Sequence, residues 1–120
     1  MTEIEFVTLT CQGKSYTLDV MLSPEDHEWA VKRGNWFITH GARDKGKRYA
    51  VRSERGRLIF LHKVVLVRAM KLPPSPLHTI GDHWNGNSLD NRRGNLRWAT
   101  PQMNARNIFG FASAQLEFQL

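Results

Sequence analysis

The stretch IGDHWNGNSLDNRRGNLRWATPQMNARN, residues 80–107, decides how this chain reads. It holds an adjacent acid and imidazole, Asp82 and His83, then a loop rich in Gly, Asn and Asp. A short apolar strand follows at Leu96 to Ala99, and a helix start at Thr100-Pro101. A core segment would not spend so many amides and charges. Strand alternation predicts a first strand over 78–82, with His83 entering the loop so that acid and imidazole converge. Asn85-Gly86-Asn87 allows the left-handed backbone of a tight turn. Leu89 is expected to anchor the loop in the core, and Asp90 and Asn91 to bond its backbone. The second strand is read as 95–98, with Leu96 and Trp98 on one face and Asn95 and Arg97 on the other. Thr100 caps the following helix and Pro101 is its first residue. Asn104 and Asn107 then share one helix face.

Upstream, Pro73, Pro74 and Pro76 form a stiff connector that ends a helix expected over 61–72. Its aliphatic run (Val64, Val65, Leu66, Val67) is dense enough to predict that most of it is buried. Before it come three short strand-like runs, 36–39, 47–52 and 58–61, with turns at 41–46 and 53–56. These turns and strand ends carry many Lys and Arg, among them Arg43, Lys45, Arg48 and Arg52. Basic side chains beside aromatic ones suit phosphate contacts, although any single one reads equally well as a solvated hairpin tip. Ser23-Pro24-Glu25-Asp26 is a helix start with the spacing of a capping box, and Gly34 ends that helix. Residues 4–11 and 15–20 alternate around a turn at Gln12-Gly13, which predicts a β-hairpin. His27, His40 and His78 are read as surface residues.

The length, 120 residues, suits one domain with a small core. Seventeen Lys and Arg against eleven Asp and Glu give a net charge of +6, which favours an anionic polymer as partner. One cysteine, Cys11, rules out an intramolecular disulfide and a cysteine-based structural zinc. Cys11 is expected to be a small buried apolar residue. The first ten residues are too weakly apolar for a signal peptide, and no run approaches a membrane span. A cytoplasmic protein without membrane contact is expected.

Asp-His-x-x-Gly-Asn, Leu-Asp-Asn-Arg, Asn-Leu-Arg-Trp and Gln-x-Asn-x-x-Asn occur in this order. The pattern resembles the HNH endonucleases, in particular the phage and intron-encoded homing branch. Leu-His-Lys-Val-Val-Leu, from Leu61, resembles the segment that precedes the active site there. The likeness covers roughly residues 4–107, diffuse before His62 and sharp after Asp82. The resemblance implies an α+β fold: N-terminal β-hairpins and a ββα-metal (His-Me finger) unit. Residues 1–72 would be a β-rich, DNA-contacting scaffold, and residues 73–120 the nuclease motif and its tail.

On this likeness the named positions are His83, Asn95 and Asn104. His83 would be the general base and Asn95 would constrain the loop and orient it. Asp82 and the Asn104 carbonyl would hold one divalent ion, Mg²⁺ first and Mn²⁺ or another ion as alternatives. Phosphate contacts are expected from Arg92, Arg93, Arg97, Arg106, Lys63, Arg48 and Arg52. His62, Asn91 and Asn107 would support the site, His62 either against it or at the phosphate. Such a protein would hydrolyse phosphodiester bonds of double-stranded DNA, by nicking or double-strand cutting. The alternatives are an inactive DNA-binding module of the same fold and a basic protein-interaction domain. The sequence departs from the branch at Gly81, where an aliphatic residue is usual, and glycine is expected to loosen the strand end. Residues 108–120 are apolar in pattern and are expected to pack on the core or to join a second copy as a homodimer.

Overall fold

The computed structural model describes residues 5–39 and 47–107. Alternation builds its first hairpin. β1 (Val7–Gln12) and β2 (Thr17–Leu22) are antiparallel, with Leu9 opposite Val20 and Cys11 opposite Leu18. Cys11, Val20 and Leu22 are fully buried. Burial, with Asp19 nearby, pushes the Cys11 thiol up to about 11, so it stays protonated at neutral pH.

α1 (Pro24–Arg33) starts with proline at its first position and ends at Gly34, whose φ of 69° suits glycine. The expected capping box is not formed. The Ser23 hydroxyl instead accepts the Arg93 backbone N–H at 3.1 Å. Asp26 is fully buried and accepts hydrogen bonds from the guanidinium groups of Arg68 and Arg93 at 2.8–2.9 Å. Those two arginines hold its carboxyl below the usual range, against the opposing effect of burial.

β3 (Phe37–Ile38) runs parallel to β1 and antiparallel to β4 (Ala50–Glu54). β4 turns into β5 (Arg57–Phe60) at Arg55-Gly56, where both residues have positive φ, as a tight hairpin requires. α2 (Leu61–Arg68) is shorter than the expected 61–72. Leu61, Val65 and Leu66 enter the core, but Val67, Met70 and Leu72 are 67%, 85% and 84% exposed, so the dense run is only half buried.

β6 (Ile80–His83) and β8 (Leu96–Ala99) form a separate two-stranded antiparallel sheet, and α3 (Pro101–Arg106) follows β8. Between them β7 (Asp90–Asn91) leaves this pair and runs parallel to β2. The large sheet therefore has the order β5-β4-β3-β1-β2-β7. The architecture is α+β. β7, the core residue Leu96 and Arg93 tie the C-terminal stretch to the N-terminal sheet and helices across the proline connector. Among the described residues no helix is long and apolar enough to cross a membrane. His40, the basic turn at 41–46 and residues 108–120, with the dimer contact expected of them, lie outside the described residues.

Candidate active site

Asp82 and His83 close β6 instead of flanking its end, so the strand runs one residue further than expected. Both are nevertheless almost fully buried. The cross-strand register explains Asp82. It stands opposite Arg97, whose Nε–H donates to Asp82 Oδ2 at 2.8 Å. Asn107, just past α3, donates from Nδ2 to the same oxygen at 3.0 Å and to the carbonyls of His83 and Trp84. One amide thus ties the helix end to the acid and to the chain just after it.

His83 Nε2 lies 2.7 Å from Asn91 Oδ1. An amide carbonyl can only accept, so Nε2 carries the proton and Nδ1 keeps its lone pair. Burial pushes His83 below its usual range. The Asn91 hydrogen bond and the Asp82 and Asp90 charges pull the other way, and Lys47 adds to the depression. The imidazole is neutral at neutral pH, with one nitrogen able to accept a proton.

The expected orienting role of Asn95 is therefore filled by Asn91. Asn95 lies in a single 3₁₀ turn, Arg93–Asn95, just before β8, not within the strand. Its Oδ1 accepts the Asn85 N–H at 3.0 Å, and its Nδ2 donates to Asn85 Oδ1 and the Asp90 carbonyl, both at 2.9 Å. It constrains the loop, as expected, but through Asn85 and Asp90. The turn chemistry of the loop is as the sequence suggests. Gly86 has φ 76°, and Asn85 and Asn87 each accept the backbone N–H two residues on. Asp90 bonds the Arg92 backbone, and Leu89 packs on the core. The Thr100 hydroxyl caps α3 by accepting the Met103 N–H at 3.1 Å.

His62 was expected beside this site, and Tyr49, distant in sequence, was not. The ring centroids of His62 and Tyr49 lie 4.8 and 6.0 Å from that of His83. Burial, then the neighbouring His83 and Lys63, push His62 down to about 3, against a hydrogen bond to the Gly81 backbone. His62 is a buried neutral ring against His83, not an exposed phosphate contact. Beside it lies a cavity of about 260 Å³ lined by Tyr49, Phe60, His62, Lys63, Ile80, Gly81 and Asn104. Asn104 is exposed on this wall, and the amide that reaches Asp82 belongs to Asn107.

Several of the expected phosphate contacts are committed inside the protein. Arg92 makes two hydrogen bonds to Asp90, Arg93 two to Asp26, and Arg97 pairs with Asp82 while lying 4.2 Å over the Trp84 ring. Arg52 bonds Glu54 and the carbonyls of Arg33 and Gly34. Arg48, Lys63 and Arg106 are exposed, Arg48 over the Tyr16 ring and Lys63 near Phe60 on the cavity wall. Clustering of Lys and Arg in sequence did not distinguish these two groups, because the buried carboxylate that takes Arg93 lies 67 residues away.

Among the described residues no three His, Cys, Asp or Glu side chains form a metal-binding group. The oxygens present suit a hard cation better than zinc. Both side-chain hydrogen bonds to Asp82 fall on Oδ2. Asn107, whose Nδ2 bonds Asp82, keeps its Oδ1 buried without a hydrogen-bond partner. A carboxylate and an unpartnered amide oxygen are donors of the kind Mg²⁺ takes, with water completing its shell. No protein-family model, curated protein or solved structure matches the chain.

Proposed function

We propose that this chain is an HNH endonuclease of ββα-metal type that hydrolyses phosphodiester bonds in double-stranded DNA, of the phage or mobile-element kind. The observation that carries the reading is the buried Asp82–His83 pair, with Asn91 fixing the His83 tautomer and β6, β8 and α3 meeting around it. His83 Nδ1 takes the proton of the attacking water. The water oxygen bonds to phosphorus, the bond to the 3′-oxygen breaks, and the products are a 5′-phosphate and a 3′-hydroxyl. Asp82, with an amide oxygen from Asn104 or Asn107, would hold the divalent ion. When bound, that ion supplies Lewis-acid relief of the charge on phosphate and leaving oxygen. Arg97 adds a fixed positive charge next to Asp82, and Arg48, Lys63 and Arg106 are the exposed groups suited to the DNA backbone.

The test is cleavage of supercoiled plasmid by the pure protein with Mg²⁺ or Mn²⁺, beside an EDTA control and His83→Ala. Nicked or linear product that requires both the metal and His83 is the expected result, with His83→Ala slower by about 10²–10⁴-fold. Asn91→Ala is expected to lower turnover by about 10-fold or more by releasing the ring. Salt-dependent binding without cleavage under any divalent ion would favour an inactive DNA-binding module. No binding at low salt would favour a basic protein-interaction domain.

A further inference from the structure

We propose that Gly81 and His62 are a size-matched pair that sets the tilt of the His83 ring, which makes His62 a positioning residue of the site. The inference rests on the reading of His83 as the base. It also reverses the expectation that glycine loosens the strand end here. A Cβ on Gly81 would lie 2.6 Å from His62 Cδ2, 3.0 Å from His62 Nε2 and 3.3 Å from Lys63 Cγ. Gly81 sits within β6 opposite Trp98, and among the described residues the positive-φ glycines are Gly34, Gly56 and Gly86. Glycine at 81 therefore serves space, not backbone freedom.

The space beside Gly81 is filled by the His62 ring, which is 5% exposed. A side chain larger than glycine at position 81 would have to displace the His62 ring. Leu61, Val65 and Leu66 fix α2 in the core, and Tyr49 and Phe60 stand 5.5 and 5.7 Å from the His62 ring. The His62 ring stands against His83 at 4.8 Å and an interplanar angle of 47°, and borders the cavity of about 260 Å³. The Asn91 hydrogen bond holds the His83 ring at Nε2. The His62 ring meets it from the side. Together the two contacts restrict the orientation of Nδ1.

A double-mutant cycle tests this with Gly81→Ala, His62→Ala and the pair. It is read by ¹⁵N resonances of the His83 imidazole in the purified protein, and by kcat and KM on plasmid. Each single change is expected to shift or broaden the His83 resonances and to lower kcat by about 10-fold or more at unchanged KM. The pair should recover part of the Gly81→Ala loss, because the alanine methyl enters the space His62 leaves. If Gly81→Ala does not fold, His62→Phe and His62→Gln decide. Phe keeps a flat ring against His83 and should retain more turnover and sharper His83 resonances than Gln. Wild-type resonances and kcat in Gly81→Ala, effects that simply multiply in the pair, or Gln equal to Phe would overturn the proposal. A wild type that cuts no DNA removes the nuclease reading alone, since the resonances still report whether His62 positions the ring.

Discussion

The two sheets are held together by opposite kinds of interaction. The six-stranded sheet and its helices bury aliphatic side chains: Val20, Leu22, Ile38, Val51, Leu61, Val65 and Leu66. The β6–β8 pair and its loop bury polar ones. Among the described residues nine polar or charged side chains are buried, and seven of them, Asp82, His83, Ser88, Asp90, Asn91, Asn95 and Asn107, fall between residues 82 and 107, with Asp90 and Asn91 on β7 where the stretch joins the large sheet. Apolar burial is non-directional and tolerates volume-conserving change. A buried amide needs its partner at a set distance and angle, and loses most when that partner is removed. The first region should therefore govern whether the molecule folds, and the second whether its imidazole and carboxylate are in place.

Truncating the first region gives the largest stability effect. Leu66→Ala is expected to cost about 3 kcal/mol, within the usual range for a buried leucine. Urea unfolding reads that loss, and cleavage per folded molecule should hold steady. Turnover that falls along with the urea midpoint would mean that the two regions are not separable. Asn95→Ala probes the second region. It leaves the Asn85 N–H and the Asp90 carbonyl without the partners they have now, at a cost of about 2 kcal/mol. Here cleavage per folded molecule should drop about 10-fold or more, because Asn85, Asp90 and through them Asn91 shift. A variant as active as wild type would make Asn95 a fold residue only.

The same contrast explains what could be read in advance. Hairpins, helix starts and turns follow local rules, so β1–β2, the Gly86 turn and the Thr100 cap were legible. The positions of Asp82 and His83 at the close of a strand were legible to within one residue. The partners of buried polar groups were not. Asn95 is the residue expected to orient His83, and the pairing of β7 with β2 brings Asn91 to the ring instead. Ser23 and Asp26 have capping-box spacing, yet tertiary arginines take the carboxylate and the Arg93 backbone takes the hydroxyl. Spacing along the chain cannot report a donor that arrives from 42 or 67 residues away.

Acid offers a graded test of the polar region. His62 is pushed from its ordinary 6.5 to about 3 by burial, and His83 is depressed in the same direction. Above pH 6.5 folded and unfolded chains both keep these rings neutral, and their contribution to stability is complete. As the pH falls below 6.5 the unfolded rings bind protons that the buried ones refuse, so stability declines until the folded pKa is reached, near 3 for His62. In that window the His62 ring can remove up to about 1.4 kcal/mol per pH unit, and His83 adds a loss of the same sign. The carboxylates of Asp26 and Asp90, held below 3.8, add their own loss only at lower pH, so the range from 6.5 to 4.5 reports the histidines. Urea midpoints should fall steadily across it, and less steeply in His62→Phe. A flat wild-type profile would show that these rings are not kept neutral by burial.

The smallest effect is expected at the surface, two residues from one of the largest electrostatic investments in the fold. Glu28 and Lys32 pair at 3.3 Å across one turn of α1, both more than 70% exposed. Water screens such a pair and its long side chains keep their freedom, so Glu28→Ala should change stability by less than about 0.5 kcal/mol. Asp26, on the same helix, has the same carboxylate chemistry but no solvent, and it holds Arg68 and Arg93 in place. Removing it would leave two guanidinium groups without their shared acceptor and untie α1 from both α2 and the turn before β8. If urea unfolding placed Glu28→Ala and Asp26→Ala at the same midpoint, burial would not be what separates strong polar contacts from weak ones here. That result would count against the directional account of the β6–β8 region as well, since it rests on the same physics.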